Sequence, residues 1–163
     1  MSSANLPSTL LADLQSLIDA SRGRLATVVN QEITLLYWQV GHRIQVEILG
    51  NQRADYGTQV VKELADSLKP LYGNGFDKKN LYRMIQFANR FPENEIVVTL
   101  SRQLSWSHFV AILPIEEPLA RTYYAEMCRV ERWSVRTLRQ KIDSMLFERT
   151  AISKKPDELI ETE

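Results

Sequence analysis

The chain has 163 residues, enough for one helical domain or two small packed lobes, and it can bury a real core. Its 20 Lys plus Arg residues balance its 20 Asp plus Glu residues, which excludes a global positive field that would draw the molecule toward nucleic acid. One cysteine, Cys128, and two histidines exclude an internal disulfide and leave too few ligands for a structural zinc site.

The N-terminal residues show no targeting signal. Residues 1–7 have neither the basic start nor the apolar run of a signal peptide, and no apolar stretch in the chain is long enough to cross a bilayer. We therefore expect a cytoplasmic protein with no membrane partner. No motif indicates a cofactor or a small-molecule substrate.

Apolar residues recur with helical period through nearly the whole chain, which predicts an all-α fold, a compact multi-helix domain. A first helix is predicted from Ser8, interrupted at residues 22–24. A long second helix follows, and its apolar seam comprises Leu25, Val29, Ile33, Leu36, Val40, Ile44 and Ile48. A further stripe of Val28, Leu35, Trp38 and Leu49 makes this helix apolar on two sides.

A helix apolar on two sides needs a partner on each. The helix from Leu25 to Leu49 is therefore predicted to be either the central strut of the domain or the interface of a homodimer or higher oligomer. Gly41 within it costs roughly 1 kcal/mol relative to Ala, which predicts that another helix packs closely there.

Two short helices joined by a tight turn come next. The first is predicted to begin after Gly57 and to stop at Pro70 and the Gly73-Asn74-Gly75 turn, and the second runs from its cap Asp77 to about Arg90. Residues 58–90 thus have the sequence form of a helix-turn-helix-like unit.

The second helix of this unit has one apolar side, predicted to comprise Leu81, Ile85, Ala88 and Phe91. Its other side carries residue types that contact phosphates and base edges. We predict nucleic-acid binding by Lys78, Lys79, Tyr82, Arg83, Gln86 and Arg90. The alternative, which the sequence leaves open, is an ordinary solvated helix face.

The second half of the chain gives four further helix starts. A helix is predicted near Ile96, another from Ser105 that Pro114 ends, a third opened by Pro118, and a last one capped by Ser134. The buried side of the last helix is predicted to be Leu138, Ile142, Met145 and Leu146. Residues 1–152 are then predicted to form the helical domain, either as one unit or as two small lobes at about 1–92 and 93–152. Residues 153–163 are predicted to form a charged linker.

The last helices carry a second basic segment. Arg132, Arg136 and Arg139 are predicted to share one face, and they are further candidates for nucleic-acid binding. The segment also contains Arg129 and Lys141, and four glutamates in the neighbouring sequence could pair with its arginines, which would make it a plain solvated surface: Glu116, Glu117, Glu126 and Glu131. That alternative is slightly favoured here.

No pattern in the chain indicates catalysis or a metal site. His108 lies three residues after Ser105, but no acid completes a triad and no glycine elbow presents the serine. Adjacent carboxylates such as Glu116-Glu117 diverge on a helix instead of converging on a metal. We predict that this chain is not an enzyme and that it has no catalytic or metal-binding residues. Six aromatic residues are predicted to pack in the core: Tyr37, Trp38, Trp106, Tyr123, Tyr124 and Trp133.

Six short motifs together resemble the N-terminal domain of the YhcG-like family. They are Tyr37-Trp38-x-x-Gly41, Tyr56-Gly57, Gly73-Asn74-Gly75-Phe76, Asn80-Leu81-x-x-Met84-x-x-Phe87, Leu104-Ser105-Trp106-Ser107-His108 and Trp133-Ser134-Val135-Arg136-x-Leu138. In that family a helical domain of unknown function precedes a nuclease domain of the PDDEXK type. The resemblance implies a bacterial DNA-processing protein whose nuclease domain would begin where this sequence ends, at Glu163.

The expected function is therefore a DNA-binding module that delivers a linked nuclease. The alternative is a module for homo-oligomerisation or protein interaction that does not bind nucleic acid directly. The sequence leaves open whether DNA or RNA is the ligand.

Overall fold

The computed structural model describes residues 8–51, 53 and 55–153. Its helices are α1 (Ser8–Leu49), α2 (Tyr56–Tyr72), α3 (Lys78–Arg90), α4 (Asn94–Leu100), α5 (Trp106–Ile112), α6 (Pro118–Glu131), α7 (Val135–Asp143) and α8 (Leu146–Ser153), with a 3-10 turn at Asn74–Phe76 between α2 and α3. These residues form no β-strand. The all-α prediction is confirmed.

Helix α1 is one continuous helix of 42 residues where the sequence predicted two. The predicted interruption at residues 22–24 is wrong. A glycine in a helix costs only about 1 kcal/mol relative to Ala, and Gly23 does not adopt the left-handed backbone that ends a helix. The helix therefore continues through it.

Helices α1 and α3 cross closely at Gly41, as predicted. A Cβ atom at Gly41 would overlap the backbone carbonyl of Met84. Because only a glycine leaves this space, the α3 backbone can lie directly against α1. Close to one end of α3, the Trp38 indole Nε1 donates a hydrogen bond of 2.7 Å to the Phe91 carbonyl.

The core consists of two hydrophobic clusters. The smaller comprises Ile44, Val61, Ala65, Leu81 and Met84, from α1, α2 and α3. The larger comprises Trp38, Phe87, Ala88 and Phe91 together with residues of α4 to α8 and of the connections between them. Helices α1 and α3 contribute to both clusters. The division into lobes at 1–92 and 93–152 stays a prediction.

The buried face of α3 is wider than the predicted one. Leu81, Ala88 and Phe91 are buried as predicted, Met84 and Phe87 are buried as well, and Ile85 is only half-buried. The reason is that α3 packs on α1 through Met84 and on α5 through the Phe87 ring, which lies 4.5 Å from the Phe109 ring centroid. Contacts on two sides bury a wider face than a single stripe.

The last predicted helix is broken in two. Met145 has a left-handed backbone, with φ at 56°, and its side chain is 55% exposed instead of buried. The Tyr124 hydroxyl accepts a hydrogen bond of 3.0 Å from the backbone N–H of Phe147, near the start of α8. This turn lets the Phe147 ring pack against the Tyr123 ring.

Three predicted helix caps are confirmed. The side chains of Asp77, Ser105 and Ser134 accept hydrogen bonds from the backbone N–H groups of Asn80, His108 and Thr137. None of the helices in the described part of the chain is both long and apolar enough to span a membrane. The linker predicted for residues 153–163 lies outside the described residues, apart from Ser153, which ends α8.

Candidate nucleic-acid interface

The first two turns of α3 present three of the predicted contact residues to solvent. Asp77 caps the helix, with its Oδ1 accepting a hydrogen bond of 2.8 Å from the backbone N–H of Asn80. This fixes the helix start, and Lys78 and Lys79 follow as exposed side chains in the first turn. Tyr82 is 40% exposed one turn later.

A groove between α2 and α3 gathers charge at this end of the unit. It has a volume of about 280 Å³ and is lined by Ala65, Asp66, Lys69, Asp77, Lys78 and Lys79. Three lysines and two aspartates therefore line the groove. Neither Lys78 nor Lys79 forms an ion pair within 4 Å with a carboxylate of the described residues, so both ammonium groups are free to meet an anion.

The middle of the predicted polar stripe is engaged within the molecule. The Arg83 guanidinium donates to the Asn80 side-chain oxygen at 3.4 Å, and the Gln86 amide donates to the Leu113 carbonyl at 3.4 Å. Both side chains are half-buried. The stripe is thus open at its first turn and partly used for intramolecular contacts further along.

Arg90 lies about 18 Å from Lys78 along the axis of α3 and faces a different surface. It lines a cleft of about 270 Å³ together with Arg121 of α6. Burial, and after it the positive charge of Arg90, lowers the pKa of Arg121. The Arg121 guanidinium also donates to the backbone carbonyls of Ile115 at 2.7 Å and Glu116 at 2.9 Å.

The neighbour Arg121 was not predicted from the sequence. It lies 31 residues after Arg90 on another helix, and no spacing rule connects two such positions. Only the packing of α6 near the end of α3 brings the two guanidinium groups together.

The three arginines of the second basic segment that were predicted to bind nucleic acid form no ion pair with the described residues. Arg132 ends α6 in a left-handed conformation with φ at 54°, and Arg136 and Arg139 are exposed on α7. None of the three lies within 4 Å of a carboxylate among the described residues. One of the predicted pairings with glutamates does form in this segment, between Arg129 and Glu126 at 2.6 Å.

Ser105 and His108 form a structural contact. The His108 Nδ1 lies 2.9 Å from the backbone N of Ser105, which donates to it, and its Nε2 lies 2.7 Å from the carbonyl oxygen of Trp133. A carbonyl accepts only, so Nε2 carries the proton and Nδ1 is the acceptor. The imidazole thereby caps α5 and ties it to the turn between α6 and α7.

Comparison with known proteins assigns the family. A family model described as the DUF1016 N-terminal domain matches residues 13–149. The chain belongs to this family. As a member of the DUF1016 N-terminal domain family, it is 30% identical over 167 residues to "Putative nuclease YhcG" of Escherichia coli strain K12. That alignment covers 84% of this chain and 44% of the relative, so the chain spans less than half of the relative's length.

The match confirms the YhcG-like resemblance that the sequence motifs indicated. No solved structure matches this DUF1016 N-terminal domain. Among its described residues, no group of three or more His, Cys, Asp or Glu side chains is placed to hold a metal ion.

Proposed function

We propose that this chain is a non-catalytic module that docks a nuclease of the YhcG-like family onto DNA, and that it does so through the first turn of α3. The relative from Escherichia coli is named as a nuclease and extends well beyond the part that this chain matches. Cleavage would then belong to the rest of such a protein, and binding to this domain.

The observation that carries the proposal is the exposed start of α3, where Lys78 and Lys79 have no ion-pair partner among the described residues. The first turn of the second helix is also where a helix-turn-helix protein reaches base edges. Phosphate oxygens are favoured at a helix N-terminus, where backbone N–H groups and the helix dipole add to the charge of nearby lysines.

The test measures binding of the chain to a fluorescent duplex at several salt concentrations by anisotropy. Each lysine that contacts a phosphate releases counterions, so Lys78→Ala plus Lys79→Ala should weaken binding and make the slope of log K against log salt shallower by about 2. The matched control is Lys62→Ala plus Arg102→Ala, which removes the same charge from exposed positions outside α3 and α7. The control should leave the slope unchanged.

The second basic segment provides a competing site in the same assay. If Arg136→Ala plus Arg139→Ala flattens the salt dependence while the lysine variant behaves like the parent chain, docking through α3 is wrong and α7 is the contact. If neither variant changes the binding, or if the parent chain does not bind duplex at all, the DNA-docking function is overturned. Parallel titrations with single-stranded DNA and with RNA establish which nucleic acid is preferred.

A further inference from the structure

The first half of α1 projects from the rest of the described fold. Every residue from Thr9 to Val29 is exposed, a helical stretch of 21 residues that we call the N-terminal arm. The side-chain contacts of α1 with other elements begin directly after the arm. There the Asn30 amide donates to the Leu104 carbonyl at 3.4 Å and the Gln31 amide donates to the Val98 carbonyl at 3.2 Å. The arm is about 30 Å long at 1.5 Å per residue.

The arm carries large apolar side chains that no other described residue covers. Those exposed by 44% or more are Leu10, Leu11, Leu14, Leu17, Ile18, Leu25, Val28 and Val29. Most of the stability of a protein helix comes from packing one face against another element, and a free helix exposing this much apolar surface is marginal in water. The arm therefore needs a partner.

The apolar positions of the arm follow a seven-residue repeat. Leu11, Ile18 and Leu25 lie seven residues apart, and so do Leu14, Ser21 and Val28. In heptad notation these are the a and d positions of a coiled coil, with a single polar residue, Ser21, among the six. A seam of this type is built to pack against another helix that has the same repeat.

The charge distribution of the arm favours a second, antiparallel copy as that other helix. Residues 9–20 contain Asp13 and Asp19 and no cation, whereas residues 21–29 contain Arg22 and Arg24 and no anion. Two copies aligned antiparallel place the acidic half of each beside the basic half of the other. Two copies aligned in parallel would place like charges together, which opposes association.

The antiparallel arrangement also places Ser21 opposite an apolar side chain. With a positions facing d positions, Leu11 meets the partner's Val28, Leu14 meets the partner's Leu25, and Ile18 meets the partner's Ser21. Every layer then contains a large apolar side chain. A parallel pair would instead bury Ser21 against the partner's Ser21.

We propose that the N-terminal arms of two copies of this chain pair as an antiparallel coiled coil. This revises the predicted oligomer interface, the helix from Leu25 to Leu49. Ile44 is buried in the smaller core cluster, and Val40 and Ile48 pack against that cluster, so this face of the segment is used within one copy. The interface lies instead over residues 10–29, and it is independent of any nucleic-acid contact at α3.

The first experiment is sedimentation equilibrium of the 163-residue chain over roughly a hundredfold range of protein concentration, in which a dimer is expected. Leu14→Glu plus Leu25→Glu places charges in the seam and should give a monomer at every concentration. The matched control, Ala12→Glu plus Ala26→Glu, adds the same charges at two positions outside the seam, each directly after an a position, and should stay dimeric. Ser21→Leu should tighten the dimer about tenfold or more, because it fills two layers with apolar side chains.

Helix orientation is tested by disulfide formation between two single-cysteine arms. The native Cys128 is buried and does not interfere. When Leu14→Cys and Leu25→Cys proteins are mixed and oxidised, an antiparallel pair gives the mixed disulfide, whereas a parallel pair gives only the two homodimeric disulfides. A monomeric parent chain, a control as monomeric as the seam variant, or homodimeric disulfides alone would overturn the proposal.

Discussion

Burial sets the chemistry of two side chains on α6. Cys128 is 1% exposed, and burial raises the pKa of its thiol from 9.0 to about 12. Tyr124 is also 1% exposed, and burial, with a further contribution from the charge of Glu148, raises the pKa of its hydroxyl from 10.0 to about 12. Both groups keep their protons in the folded state at a pH where the unfolded chain would lose them.

This gives a pH prediction with a definite sign. When the folded-state pKa exceeds the unfolded one, the stabilisation is fully present below the unfolded pKa and is lost as pH rises toward the folded one. The thermal unfolding midpoint should therefore decrease as the pH rises from about 9 to about 12. Cys128→Ala plus Tyr124→Phe should reduce the slope of that fall, and an equal slope in parent and variant would contradict the assignment.

The imidazole of His108 supports the turn that holds α7. His108→Ala removes the acceptor for the Ser105 N–H and the donor to the Trp133 carbonyl, both partly buried. We expect a loss of about 1 to 3 kcal/mol in the free energy of unfolding, measured by urea titration. Ser107→Ala, at the exposed neighbouring position, should change it by no more than about 0.5 kcal/mol. Equal effects from the two variants would argue against the structural role.

Helix α1 contains two glycines whose surroundings are opposite. Gly41 faces the backbone of Met84, whereas a Cβ at Gly23 would have nothing within 4 Å. The helix propensity gained by replacing glycine with alanine is the same at both positions. Any difference between the two substitutions therefore reports the helix crossing alone.

We expect Gly41→Ala to destabilise the protein, because moving α3 away from α1 costs about 1 to 3 kcal/mol or more and exceeds the propensity gain of about 1 kcal/mol. Gly23→Ala should instead increase helicity and raise stability slightly. Circular dichroism at 222 nm and urea titration measure both. A Gly41→Ala protein as stable as the parent would show that α1 and α3 are further apart at Gly41 than in this structure.

The two hydrophobic clusters are connected through shared helices. Helix α1 contributes Ile44 to the smaller cluster and Trp38 to the larger, and α3 contributes Met84 to the smaller and Phe87 to the larger. Neither cluster can lose its packing without disturbing a helix that the other one needs. This coupling bears on whether the lobes at 1–92 and 93–152 unfold separately.

We predict one cooperative unfolding transition for the residues that form these clusters. Met84→Ala in the smaller cluster and Leu138→Ala in the larger should each shift the same transition, at a cost of about 2 to 5 kcal/mol. Tryptophan fluorescence, which reports mainly on the larger cluster, and far-UV circular dichroism should give coincident curves. Two separate transitions, each moved by only one of the variants, would establish independent lobes.

Features that depend on residues close in sequence were determined by the sequence itself. The caps Asp77, Ser105 and Ser134 each bond a backbone N–H three residues later, so the pattern alone predicted three helix starts. Helical periodicity likewise gave the all-α class. The six quoted motifs were sufficient to indicate the family that the comparisons confirm.

Features that depend on packing between distant residues were decided only by the tertiary structure. Whether Gly23 ended a helix, which face of α3 was buried and where α7 stopped each depended on small local preferences that contacts with other elements outweigh. The same holds for the site. The sequence predicted Lys79 and Gln86 equally as nucleic-acid contacts on one side of α3. Only the packing of α5 against α3 gives Gln86 a partner at the Leu113 carbonyl and leaves Lys79 exposed.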